Sequence, residues 1–125
     1  MLKALVIDDN EEIAESIVRM LEMLEVESQM AFSVRQAMVF LLKEAPDIIF
    51  LDIKMPGFDG FEVLTYLRRE PKLANVPVCI ISNDDQREVV ARSKKLGAIG
   101  YIIKPPKLEG LEKAVQKAAR IKSRS

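Results

Sequence analysis

The stretch Ile48-Ile49-Phe50-Leu51 narrows the choice of fold more than any other. Four consecutive apolar residues without alternation are too few for a helix, and they describe a strand covered on both faces. The run stops at Asp52, after which Pro56, Gly57 and Gly60 turn the chain sharply. An acidic side chain therefore emerges at the carboxyl end of a buried strand, the end at which open α/β sheets bind their ligands.

The same pattern recurs along the chain. Residues 2–7, 26–32, 77–81 and 99–104 read as further strands, the second weakened by Glu27, Ser28 and Gln29. Between them lie helical stripes. Asn10 caps the first, with Glu11 and Glu12 in its opening turn and Ile13, Ile17, Leu21 and Leu24 at helical spacing. Ser33 caps the second, striped by Val34, Ala37, Met38, Leu41 and Leu42 and barred from continuing by Pro46. Phe61, Leu64 and Leu67 carry a third until Pro71. A weakly amphipathic fourth runs from near Gln86 to Leu96, with Gly97 as its stop. Leu108, Leu111, Val115 and Ala118 stripe the last, which ends in Lys117, Arg120, Lys122 and Arg124. Five alternations with short connections predict a doubly wound parallel sheet with helices on both faces and right-handed crossovers. Residues 1–125 form one domain in this reading.

Composition removes several classes of function. Nineteen basic and nineteen acidic residues cancel, so net charge gives no argument for nucleic acid or an anionic membrane. The sequence has no histidine and a single cysteine, which excludes zinc sites, His-based triads and an internal disulfide; a metal must be held by oxygen. Cys79 falls inside an apolar run and reads as a core residue, while Met20, Met23 and Met38 read as core gap-fillers. With no leader and no apolar span of about twenty residues, a reducing cytoplasm is the expected compartment.

In a parallel sheet every strand ends on the same edge. Four of the five predicted strands finish on chemically capable residues: Asp8 and Asp9, Asp52, Ser82, and Lys104. Carboxylates gathered there repel unless a cation shares the site, and Mg²⁺ suits a few carboxylates plus an incoming phosphate oxygen. Lys104 supplies a point charge for a phosphoryl group and Ser82 a hydroxyl. Taken singly, each has a plainer reading: Asp8-Asp9-Asn10 as a turn and cap, Asp52 as structural, Lys104 as a solvated surface lysine. Their conjunction on one edge favours function.

These residues resemble the receiver domain of two-component response regulators along the whole chain. The resemblance implies a flavodoxin-like (βα)5 fold with strand order 2-1-3-4-5. Asp52, followed by Met55-Pro56-Gly57-Phe58-Asp59-Gly60, resembles the phosphoacceptor and its loop, and Asp8-Asp9 the metal-binding pair. Ser82 stands where the family has Thr or Ser, Lys104-Pro105 resembles the family's Lys-Pro with its cis bond, and Tyr101 holds the aromatic switch position. The resemblance implies phosphotransfer to Asp52 from a phosphohistidine on a sensor histidine kinase or histidine phosphotransfer protein. Mg²⁺ (or Mn²⁺) would sit on Asp8, Asp9, Asp52 and the Lys54 backbone carbonyl. The product phosphate would draw in Ser82, let Tyr101 turn inward and remodel the face of helix 4, strand 5 and helix 5 for a downstream protein. A phosphorylation-dependent homodimer is left open, direct nucleic-acid and membrane binding are not expected, and catalysis is confined to the domain's own phosphotransfer and dephosphorylation rather than that of an enzyme.

Lys54, Asn83 and Asp84 stand at positions that tune phosphoryl lifetime in the family. Asn83 replaces a small residue there, and loss of Lys54 or Asn83 is expected to shorten that lifetime. The opposite charges of Lys54 and Asp84 could pair across the entrance of the site, and the plainer reading is two solvated side chains. A haloacid-dehalogenase-like phosphotransferase would need a second Asp where Lys54 stands. An FMN binder would need a phosphate cradle where Asp8, Asp9, Glu11 and Glu12 repel one. The serious alternative is a receiver-like module that binds proteins without phosphorylation.

Overall fold

The structure, a computed structural model, describes residues 1–124, so the last residue of the expected domain, Ser125, lies outside it. Its elements are β1 (Lys3–Ile7), α1 (Glu11–Met23), β2 (Glu27–Ala31), α2 (Val34–Lys43), β3 (Ile48–Leu51), β4 (Lys54–Met55), β5 (Phe58–Asp59), α3 (Gly60–Arg69), β6 (Val78–Ser82), α4 (Arg87–Lys95), β7 (Gly100–Ile103) and α5 (Leu108–Arg124). Five strands pair in parallel in the order β2-β1-β3-β6-β7. Counted along the chain this is the expected 2-1-3-4-5. Two-residue β4 and β5 form an extra antiparallel hairpin within the stretch read from sequence as a turn.

The central strands are buried on both sides, and alternate residues feed two separate cores. Leu5, Ile7, Ile49, Leu51, Val78 and Ile80 pack with residues of α2 and α3. Ala4, Val6, Ile48, Phe50, Cys79 and Ile81 pack with α1 and α5. Cys79 is thus a core residue as expected, and burial pushes its thiol up to about 12, which leaves it unreactive. Met20 and Met38 pack against these cores, but Met23 is 69% exposed. Leu42, expected in the α2 stripe, is 83% exposed. Each lies one or two positions past the last buried residue of its helix, Leu21 and Leu41, and so points away from the sheet.

Local chemistry fixes the helix ends. Asn10 Oδ1 accepts from Ile13 N and Ser33 Oγ from Gln36 N, both at 3.1 Å, as the sequence predicts. Both α1 and α4 close with paired reverse bonds, Glu25 N to Glu22 O with Val26 N to Leu21 O, and Gly97 N to Lys94 O with Ala98 N to Ser93 O. The residue at the bend needs positive φ. Gly97 takes +98° freely; Glu25 holds +61° with a side chain in place.

Candidate functional site

Three functional side chains stand where the sheet ladder ends, and the ladder itself fixes them. Asp8 N donates to Ala31 O, Asp52 N to Ile7 O and Lys104 N to Ser82 O, at 3.0, 3.0 and 2.9 Å. The backbone at each position is thereby anchored to the neighbouring strand, and the side chains converge above the edge. Lys104 Nζ lies 2.9 Å from Asp8 Oδ2 and 3.1 Å from Asp52 Oδ2. Asp8 is 1% exposed, Asp52 5%, and the Lys104 side chain 6%. Lys104 is therefore no solvated surface lysine. It is the shared cation of two buried carboxylates, and its bond to Pro105 is cis.

Each charge is held in place from several sides. Asp52 Oδ1 accepts from Lys54 N at 3.1 Å and Asp8 Oδ1 from Asn10 N at 2.9 Å. Burial pushes the Asp52 carboxyl above its ordinary range, outweighing the hydrogen bond and charge of Lys104, and the charge of Asp8 pushes the same way. Burial pulls the Lys104 ammonium down, but its hydrogen bonds and charge contacts with Asp8 and Asp52 outweigh that, and the ammonium is held above the usual lysine range.

The donor set fits a hard divalent cation. One carboxylate oxygen from each of Asp8, Asp9 and Asp52 lies within 4.8 Å of the others, with Asp9 exposed at the rim. Asp8 Oδ2 is buried against Lys104 Nζ, and a carboxylate oxygen with more than one lone pair keeps acceptor capacity beside that contact. An all-oxygen set with spare capacity and an open rim suits Mg²⁺ or Mn²⁺.

The remaining predicted residues ring this centre. Ser82 is fully buried at the end of β6, where its Oγ accepts from Asp84 N at 3.1 Å; Asn83 beside it is exposed. Lys54 Nζ and Asp84 Oδ2 pair at 3.1 Å across the entrance; the Asp84 side chain is buried and so not solvated, while that of Lys54 stays 68% exposed. The hairpin and the loop after β6 bring them together, and Gln86 N, then Lys54, hold the Asp84 carboxyl below its usual range. Tyr101 is half-buried, its hydroxyl donating to Asp84 O at 2.6 Å, so it is already fastened to the loop that carries Ser82 and Asp84. Burial, first among several influences, raises its pKa.

Sequence reasoning missed how tightly the loop after Asp52 is built. Asp59 Oδ1 caps α3 by accepting from Phe61 N at 2.8 Å. Gly57 turns the hairpin with φ +79°, and Gly60 N donates to Ile53 O. A Cβ on Gly60 would lie 2.4 Å from Ile53 Cα. The Asp-Gly pair ahead of a helical stripe signals the cap; the pressure of Ile53 on Gly60 leaves no sequence trace.

Residues 4–116 match the family profile described as the response regulator receiver domain. The chain is 34% identical over 88 residues to sporulation initiation phosphotransferase F of Bacillus subtilis (strain 168), covering 70% of this chain and 69% of that protein. It is 29% identical over 115 residues to protein PilH of Pseudomonas aeruginosa, covering 92% and 95%. The solved receiver domain of the Francisella response regulator 1452 matches it with a TM-score of 0.87 at 30% identity over 100% of both chains. The chain spans less than half the length of several other curated relatives it matches.

Proposed function

Because this chain belongs to the response regulator receiver family, we propose that Asp52 is a phosphoacceptor in a two-component phosphorelay. The observation that carries this reading is the Lys104 ammonium held between the buried carboxylates of Asp8 and Asp52 on the carboxyl edge of the sheet. A carboxylate oxygen of Asp52 attacks phosphorus, the bond from phosphorus to the imidazole nitrogen of the donor breaks, and an aspartyl phosphate results. Such transfer needs positioning and charge neutralisation more than acid–base chemistry. Asp8, Asp9, Asp52 and the Lys54 carbonyl would hold Mg²⁺ or Mn²⁺, which when bound neutralises charge on the phosphoryl oxygens.

Lys104 would exchange part of its contact with Asp52 for the phosphate, and the Ser82 hydroxyl would turn from Asp84 N toward it. Because Asp84 also receives the Tyr101 hydroxyl, a change at Ser82 passes directly to Tyr101. From there it reaches the surface of α4, β7 and α5, where a downstream protein would read it. Moving such an equilibrium from 1:99 to 99:1 takes roughly 5.5 kcal/mol of differential interaction. The donor would be a histidine kinase or histidine phosphotransfer protein in the cytoplasm, and the chain would transform only itself. Among the described residues, no helix is long and apolar enough to cross a membrane.

Incubation with acetyl phosphate and Mg²⁺, read by intact mass, is expected to phosphorylate the protein once and to leave Asp52→Asn unlabelled with its circular dichroism unchanged. Continued labelling of Asp52→Asn refutes the assignment. An unlabelled wild-type protein that still captures partners points instead to the phosphorylation-independent module.

A further inference from the structure

Beside the Asp52 site a cavity of about 660 Å³ opens between the β4–β5 hairpin and α4. Its wall includes Asp9 and the Lys54–Asp84 pair, so it adjoins the acidic centre directly. Five charged side chains line it, and four of them are already committed. Lys54 and Asp84 neutralise one another, Asp59 caps α3, and Asp9 belongs to the carboxylate set described above. Arg92, on α4, is the exception.

The Arg92 guanidinium carbon sits 4.1 Å from the centroid of the Phe61 ring, an arrangement that holds the planar cation in place while leaving its N–H groups unused. Among the described residues the Arg92 side chain makes no ion pair and no hydrogen bond; its backbone carbonyl accepts from Leu96 N within α4. Glu62 and Arg69 share a smaller recess with it on the α3 side, and neither pairs with it. A cation stacked on an aromatic ring, with its N–H donors uncommitted, can receive an oxyanion. Arg92 is exposed at the cavity mouth, with Met55 and Val89 among its apolar neighbours along the wall, so its charge acts on an arriving group and is screened by added salt.

We infer that Arg92 is a donor-selecting residue: it receives the doubly charged phosphoryl group of an incoming phosphodonor in this cavity and offsets the surrounding carboxylates before the group reaches Asp52. The inference rests on the phosphoacceptor reading of Asp52. It predicts preference by donor charge, because an acidic vestibule without Arg92 repels a dianion more than a monoanion.

The test is the second-order rate of labelling by acetyl phosphate at low ionic strength, with Mg²⁺, in wild type, Arg92→Ala, Arg92→Lys and Arg92→Glu. Loss of the charge is expected to slow labelling about three- to tenfold, within the range of electrostatic steering. Arg92→Glu slows it further and Arg92→Lys restores most of it. Added salt should narrow the gap between the wild type and Arg92→Ala, because it screens the attraction of Arg92 in the one and the repulsion of the carboxylates in the other. Phosphoramidate, which carries less negative charge, should be affected less by every substitution. An unchanged rate in Arg92→Ala overturns the inference, as does an equal loss with both donors or a loss that Arg92→Lys does not repair. Failure of the wild type to label with either donor instead removes the phosphoacceptor reading itself, and the inference with it.

Discussion

Replacing Lys104 by Met keeps the length of the side chain and removes the cation that Asp8 and Asp52 share. Both carboxylates are buried, so the substitution leaves two like charges facing each other out of water. Removing one partner of a buried ion pair typically costs 3–5 kcal/mol. The exposed Asp9 rim admits some solvent, which places the expected loss nearer to about 3 kcal/mol at pH 7.5 without divalent cation. With a urea slope of about 2 kcal/mol/M for a domain of this size, the unfolding midpoint should fall by roughly 1.5 M. The pH dependence follows from the shift at Asp52, whose carboxyl is already above its ordinary range and rises further once Lys104 is gone. An acid whose folded pKa is raised costs stability above its unfolded pKa, and that cost fades as pH falls through the folded value. The deficit of Lys104→Met should therefore shrink between pH 7.5 and pH 5, and also in Asp52→Asn or with millimolar Mg²⁺. In the wild type the raised Lys104 pKa works at the opposite end. Its stabilisation is complete below the ordinary lysine value and is lost only as pH rises through the folded one. Urea melts at both pH values, with and without Mg²⁺, decide the matter. A loss that is the same at pH 5 and 7.5 and untouched by Asp52→Asn would show that Lys104 acts through packing and not through charge.

The other expectations are narrower. Asp52→Asn should be more stable than wild type at pH 7.5 by up to about 1 kcal/mol, a gain that grows as pH rises through the folded Asp52 pKa and vanishes in acid; calorimetry across pH checks it. Gly60→Ala should lose about 2–3 kcal/mol in urea melts, because its Cβ meets the Ile53 backbone at 2.4 Å, and it should also slow acetyl phosphate labelling by shifting the chain next to Asp52. Glu25→Gly should gain about 0.5–1 kcal/mol in thermal unfolding by relieving the left-handed backbone at the end of α1.

Much of this molecule can be read from its sequence for a simple reason. Sheet strands such as Ile48–Leu51 and Val78–Ser82 are covered on both faces, so they appear as unbroken apolar runs whatever surrounds them. Residues at the ends of those runs must share an edge once the sheet is parallel, which is why Asp8, Asp52 and Lys104 meet as expected. What could not be read depends on contacts between distant segments. The sequence leaves the Lys54–Asp84 pair open beside two solvated side chains, and only the hairpin and the loop after β6 facing each other decide it. Arg92 looks like any exposed helical arginine until Phe61 arrives beneath it. The end of α4 is written as Gly97, whereas the same bend after α1 is occupied by Glu25 and carries no such mark.

The ammonium between Asp8 and Asp52 joins the first strand of the sheet to a residue just past the last one. Closing so long a loop is among the slowest and most entropically demanding contacts a chain of this kind makes. The pocket therefore acts as a clasp on the finished sheet. A nascent chain still missing β7 presents the acidic residues without their counter-ion, and Asp8 and Asp52 face each other unscreened until Lys104 arrives.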